Sequence, residues 1–265
     1  MTYVALITGA SAGIGEATAR RLAREPDVAL VLVARREPRL RALADELGGA
    51  TVIGADLTDP AAPERIRATV EREHGALHML VNNAGASWRG RFAETGWANV
   101  ERHLRLDFEA PVRLTEALLP LLRARAPGAP GRRTCIVNVA STAARVGRPG
   151  AGGYSAAKFA LAGWTESLHA EEHPHGVHVG LVLPGFVATE GFPAAELVGR
   201  PATRWLVSRP EVAAEAIVAA GPGGRAELFT PRLYGAVALA RTLAPRLVRR
   251  FTRGGPFTTA SHPRD

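Results

Sequence analysis

Tyr154 and Lys158 stand four residues apart at the start of a segment with helical period, so their side chains project from one face. A phenol titrates near about pH 10 in water and works as an acid and base closer to neutrality when an adjacent cation stabilises its phenolate. Lys158 can supply that charge. Ser141 lies thirteen residues before Tyr154, at the end of the apolar run Cys135 to Ala140, and can meet the pair across the intervening loop. Its hydroxyl would polarise a carbonyl and stabilise the negative charge that develops on its oxygen. Such a trio suits the reduction of a ketone, in which a hydride reaches carbon and a proton reaches oxygen. A tyrosine and lysine at this spacing also occur on ordinary helix surfaces, so the rest of the chain must supply the hydride site.

That supply is visible at the N-terminus. The first apolar run ends in Thr8-Gly9-Ala10-Ser11-Ala12-Gly13-Ile14-Gly15 and passes directly into a helical segment. Backbone N–H groups and the positive end of a helix dipole at such a turn face phosphates, and glycine permits both the turn and the close approach. The spacing is neither the commonest dinucleotide fingerprint, GxGxxG, nor a triphosphate loop with its terminal Lys-Ser/Thr.

Short apolar runs alternate with longer helical segments, the pattern of a doubly wound α/β fold with about seven parallel strands and helices on both faces. The strands are expected at Tyr3 to Thr8, Val28 to Ala34, Thr51 to Ala55, Leu77 to Asn82, Thr134 to Ala140, Val177 to Leu183 and Glu227 to Thr230. Helices are expected at Gly13 to Arg24, Pro38 to Leu47, Ala61 to His74, in one long stretch from Thr95 to Ala126, at Tyr154 to Glu172 and at Pro210 to Ala220. Residues 1–232 read as one domain with a substrate lid at 186–209, and 233–265 as a basic amphipathic extension.

These motifs together resemble the short-chain dehydrogenase/reductase family, a Rossmann-type fold, from Met1 to about Thr230. The resemblance rests on the TGxxxGxG turn, Asp56-Leu57, Asn82-Asn83-Ala84-Gly85, Ser141, the YxxxK pair and Pro184-Gly185-Phe186-Val187-Ala188-Thr189. It implies that Gly9, Ser11, Gly13, Ile14 and Gly15 hold the pyrophosphate and that Asp56, beside Leu57, accepts from the adenine amino group. Asn83, Ala84 and Gly85 would line the adenosine ribose. Pro184, Gly185, Val187 and Thr189 would hold the carboxamide end, with Thr189 also near the phosphates. Tyr154 would be the acid/base, Ser141 the carbonyl polariser, and Lys158 both activator and ligand of the nicotinamide ribose. Members that use NAD usually place an acid after the second strand, whereas this chain has Ala34-Arg35-Arg36 before Glu37. Guanidinium binds a 2′-phosphate that a carboxylate would repel, so NADP(H) is expected over NAD(H). The expected activity is interconversion of a small-molecule carbonyl and alcohol, the substrate being apolar or carrier-linked. One departure stands out: Asp107 occupies the place where the family usually carries a catalytic Asn. A carboxylate cannot donate as the amide does, which motivates the alternative of a regulatory or scaffold protein that binds the cofactor with impaired turnover. Homodimers or homotetramers built on the long helices near Thr115 and Phe159 are also implied.

Of the 33 basic residues in this 265-residue chain, 32 are arginine and Lys158 is the single lysine. A compact ammonium fits between a tyrosine hydroxyl and a ribose where a wide planar guanidinium does not. The net charge of +8 is uneven: eight Arg against Glu227 and Asp265 put +6 of it in residues 225–265, leaving a nearly neutral remainder. A nucleic-acid-binding face is not expected from that distribution. The single Cys135 excludes an intrachain disulfide and reads as a core residue. No basic leader precedes the first apolar run and no run approaches a membrane span, so a cytoplasmic location is expected. His173, His175 and His178 lack a carboxylate or thiol at ligand spacing and read as a solvated loop, so no metal is expected; Glu171 and Glu172 read as surface charges at a helix end. Trp88, Arg89 and Arg91 could border the substrate pocket, and their guanidinium groups would suit a carboxylate or phosphate. Leu233, Val237, Leu243, Leu247 and Phe251 alternate with arginine around Pro245. Such a stretch can lie on an anionic membrane, but packing of its apolar side on the domain or a neighbouring subunit is favoured.

Overall fold

The computed structural model describes residues 2–126, 132–190 and 207–254, with side chains to residue 250. Seven strands alternate with helices along the chain: β1 (Tyr3–Thr8), α1 (Gly13–Leu22), β2 (Val28–Ala34), α2 (Glu37–Glu46), β3 (Thr51–Gly54), α3 (Ala62–His74), β4 (Met79–Asn82), α4 (Phe92–Leu104), α5 (Ala110–Arg123), β5 (Cys135–Val139), α6 (Gly152–Glu172) and β6 (His178–Pro184) come first. The short strands β7 (Phe186–Val187) and β8 (Val207–Ser208) follow, then α7 (Pro210–Ala220), β9 (Glu227–Thr230), α8 (Tyr234–Leu243) and α9 (Pro245–Gly254). The main sheet is parallel throughout, in the order β3-β2-β1-β4-β5-β6-β9.

Alternation along β1 sorts the core into two layers. Tyr3, Ala5 and Ile7 face Leu22, Leu40, Leu43 and Ile217 of α1, α2 and α7, while Val4 and Leu6 face Ile66, Leu114, Leu118 and Leu168 of α3, α5 and α6. Burying each such side chain contributes about 1.5–3 kcal/mol. Strand order reverses between β1 and β4, and a crevice forms beyond their carboxyl ends, where open α/β sheets bind ligands.

Two expectations need correction. The stretch from Thr95 to Ala126 is not one helix: a π turn at Arg105–Glu109 separates α4 from α5, and Gly96 departs from helical geometry inside α4 (φ 56°, ψ −156°). The hydrophobic period runs smoothly through the π turn, so only the backbone reveals the extra residue that turns Asp107 inward. Glu172 is no surface charge either. It is buried and receives both arms of Arg123, at 2.8 and 2.6 Å, tying α6 to α5. Glu171, His173 and His175 are exposed, whereas His178 begins β6 and bonds the Ala220 carbonyl at 2.8 Å. Among the described residues no group of three His, Cys, Asp or Glu side chains could hold a metal, and no helix is long and apolar enough to cross a membrane. Of the expected lid, residues 191–206 lie outside the described part; its two ends pair as β7 and β8.

Of the two surfaces on which the extension's apolar side is expected to pack, the domain and a neighbouring subunit, the domain receives only part of it. Tyr234 packs so closely on Gly185 that an added Cβ there would lie 2.2 Å from its ring, yet Leu233, Val237, Leu239, Leu243 and Leu247 are exposed. The chain's own domain does not cover them. Phe251 lies beyond the described side chains.

Candidate active site

The crevice is closed by hydrogen bonds that the motif residues make with one another. Thr8 Oγ1 accepts from the N–H groups of Asn83 (2.9 Å) and Ala84 (3.0 Å) and donates to the Val81 carbonyl, while Asn83 Nδ2 donates to the Thr8 carbonyl at 2.9 Å. Gly9 has φ +67°, and a Cβ there would meet Ala84 Cα at 2.9 Å. A Cβ on Gly15 would lie 2.4 Å from the Gly9 carbonyl oxygen. At Gly9 and Gly15 the turn therefore has room for backbone only. Gly13 faces Thr189, 2.9 Å from the place of its missing Cβ, so the segment after β6 reaches the first turn of α1. No side chain caps α1. Its first N–H groups and the glycine cradle fit the pyrophosphate of a nicotinamide dinucleotide.

At the far end of the cleft Leu57 is buried and Asp56 is exposed. The Thr58 backbone N–H bonded to Asp56 Oδ1 at 2.9 Å holds that carboxyl below the usual carboxylate range, and the Thr58 hydroxyl and the nearby Arg35 charge act in the same direction against desolvation. Arg36 donates to Ser11 Oγ at 3.2 Å and to Glu190 at 2.9 Å, and Arg39 pairs with the same Glu190. Glu37, the first acid after β2, turns instead toward Gly54 and pairs with Arg41. A phosphate next to Ser11 would meet the Arg36 guanidinium, which already pairs with the Glu190 carboxylate.

At the opposite end, Ser141 follows β5 and its Oγ accepts from the Ala143 N–H at 3.1 Å and donates to the Pro184 carbonyl at 3.3 Å, which ties it to the Pro184-Gly185 turn. Strand β5 is held in place by a buried polar chain: Asn82 Nδ2 donates to Thr115 Oγ1 and Asn138 Oδ1, and Asn138 Nδ2 donates to Thr165 Oγ1 on α6. Lys158 is buried. Its ammonium lies 3.2 Å from the Val139 carbonyl, 3.3 Å from Asp107 Oδ1 and 5.7 Å from the centre of the Tyr154 ring. A Cβ on Gly85 would stand 2.5 Å from Asp107 Oδ1 and 3.3 Å from Lys158 Nζ, so glycine there admits the pair to the cleft floor. Val187 is buried in β7. Lys158 thus stands beside the Tyr154 ring and on the carbonyl of Val139, two residues before Ser141.

Asp107 is fully buried, accepts from the Ala86 N–H at 3.3 Å through Oδ1, and its Oδ2 has no hydrogen-bond partner. Burial pushes its carboxyl above the usual range, while Lys158 pulls the other way.

Sequence reasoning missed four residues here. His103 accepts from the Trp88 N–H at Nε2 (3.1 Å), so its Nδ1 donates to the Asn99 carbonyl (2.7 Å); it stands edge-on to Trp88 and to Tyr154. Arg148 lies over the Phe186 ring at 4.8 Å, Tyr234 meets the same ring edge-on, and Glu190 binds the arginines of the β2 turn. Only Glu190, adjacent to Thr189, carried a signal in its position; the others come from segments whose local pattern is that of a helix or loop.

Comparison with known proteins agrees with this architecture. Residues 3–196 match the family described as short chain dehydrogenase. Oxidoreductase UcpA of Salmonella typhimurium is 35% identical over 201 residues, which are 74% of this chain and 72% of that protein. A short-chain dehydrogenase from Streptomyces avermitilis superposes with a TM-score of 0.75 at 31% identity, covering 97% of this chain and 99% of that one. An alcohol dehydrogenase from the archaeon Thermococcus sibiricus, complexed with 5-hydroxy-NADP, gives 0.73 at 27% identity over 86% of this chain and 96% of its own.

Proposed function

Because this chain belongs to the short-chain dehydrogenase family of oxidoreductases, we propose that it interconverts a carbonyl and an alcohol with NADP(H), using Tyr154, Lys158 and Ser141. The observation that carries the proposal is the burial of the chain's one lysine within 5.7 Å of the Tyr154 ring, in the cleft where Gly13 meets Thr189. The bound nicotinamide supplies or accepts the hydride. Every other requirement falls to side chains. Ser141 Oγ turns its proton from the Pro184 carbonyl to the substrate oxygen and stabilises the charge growing there. Tyr154 gives that oxygen its proton, and the Lys158 ammonium stabilises the phenolate left behind. Gly9, Ser11, Gly13, Ile14 and Gly15 would hold the pyrophosphate, Asp56 with Leu57 the adenine, Asn83, Ala84 and Gly85 the ribose, and Pro184, Gly185, Val187 and Thr189 the carboxamide end. Arg36 beside Ser11, with Arg35, supports preference for the 2′-phosphate.

Two measurements test this reading. NADPH should bind more tightly than NADH in side-by-side titrations, and Arg36→Ala should narrow the gap. Tyr154→Phe should lower kcat by at least about a hundredfold with cofactor affinity kept, the usual size of an acid–base contribution. A variant as active as the parent would remove Tyr154 from its role.

Asp107 favours a second reading, a cofactor-binding protein with slow turnover. Its carboxylate sits 3.3 Å from the ammonium that should serve Tyr154 and competes for that charge. A jump in kcat for Asp107→Asn with unchanged NADPH affinity would support impairment, and no change would leave the enzyme reading alone.

A further inference from the structure

We propose that the carbonyl substrate carries an anionic group, a carboxylate or a phosphate, bound by Arg148; this rests on the oxidoreductase reading above and narrows it. Many arginines of the described residues are paired with carboxylates, Arg20, Arg36, Arg39, Arg67, Arg123 and Arg145 among them. Arg148 makes no ion pair or hydrogen bond among the described residues. Its guanidinium lies over the face of Phe186, 4.8 Å from the ring centre. It is half-buried, and desolvation, with the like charge of Arg89 next, depresses its pKa. A guanidinium partly removed from water without a carboxylate is costly, and its planar fork of donors matches the oxygens of carboxylate or phosphate.

Its location says which anion would complete it. Arg148 belongs to the loop that joins Ser141 to Tyr154, and the Phe186 ring beneath it is met edge-on by Tyr234. The Gly90 N–H donates to the Gly150 carbonyl at 3.0 Å, which ties the segment bearing Arg89 to the same loop. Phe186, under the guanidinium, follows the Pro184-Gly185 turn to which Ser141 is bonded. Arg148 therefore lies between the elements that carry Ser141 and Tyr154, after β5, whereas Arg35 and Arg36 follow β2, three strands away in the sheet. Arg36, bonded to Ser11, is the cation placed for a 2′-phosphate. The partner is the substrate.

The test compares 4-oxopentanoate, its methyl ester and 3-oxobutylphosphonate, both as substrates with NADPH and as ligands of the protein–NADP⁺ complex in calorimetric titration. The parent should prefer one or both anions over the ester by roughly tenfold or more in kcat/KM, the worth of a charge-assisted hydrogen bond, and the better anion identifies the group. Arg148→Gln should bring the anion-to-ester ratio near one with NADPH affinity unchanged, and Arg148→Lys should restore part of it. A parent that does not discriminate, or a variant that loses acid and ester alike, overturns the proposal. If no compound oxidises NADPH while an anion binds the complex in an Arg148-dependent way, the reductase reading fails and the anion site stands. Absence of anion binding in both assays overturns the anion site.

Discussion

Lys158 and Asp107 form a buried pair whose two members face different demands. The ammonium has the Val139 carbonyl and Asp107 Oδ1 as partners, but Asp107 Oδ2 has none. A carboxylate raised by burial contributes stability fully only below its unfolded pKa and loses it as pH rises through the folded value, so Asp107 is a cost at neutral pH. His103 has the opposite sign. Burial lowers its pKa, and its neutral form is needed to accept from Trp88 and donate to Asn99. Its contribution is complete above its unfolded value of about 6.5 and is lost as pH falls through the folded one. His103 should therefore lower the urea midpoint between pH 7.5 and 5.5, against the gain from Asp107, and His103→Gln should make the pH dependence shift toward rising stability at low pH. The glycine cradle gives a steric prediction at the same scale. Gly15→Ala should destabilise the fold by about 1–3 kcal/mol and weaken NADPH binding, read by urea denaturation and cofactor titration, because the new methyl group meets the Gly9 carbonyl.

Among the elements, α5 and α6 are joined at one end by the Asn82–Thr115 and Asn138–Thr165 bonds and at the other by Arg123 on Glu172. Removing the guanidinium strands a buried carboxylate. Arg123→Ala should cost about 3–5 kcal/mol in chemical denaturation, well beyond the 0–1 kcal/mol of a surface pair. The π turn between α4 and α5 carries Asp107, which pairs with Lys158 of α6. On the outer side of α6, Phe159 is 46% exposed and is the position where the family resemblance implies subunit contact. Phe159→Arg should lower the mass seen by light scattering while the far-UV spectrum stays unchanged.

The whole molecule divides its charge between a paired body and a basic extension. Arg246, Arg249 and Arg250 share α9 with exposed Leu247, and no acid lies between Arg232 and Arg250. Strand positions and the cofactor turn were legible in the chain because both depend on local pattern: alternation along Tyr3 to Thr8, glycine where only backbone fits, tyrosine and lysine one helical turn apart. Glu172 was not legible as a buried charge, since a carboxylate has the same sequence signature whether it faces water or an ion partner dozens of residues away. The sequence alone determined a doubly wound fold, a dinucleotide turn and a lone lysine set beside a tyrosine. Only the tertiary structure decided what each charge faces: Lys158 on Asp107, Arg36 on Ser11 and Glu190, and Arg148 on Phe186 with no carboxylate. The reason is physical: local spacing selects backbone conformation, whereas desolvation and ion pairing are set by neighbours that the chain brings together only on folding.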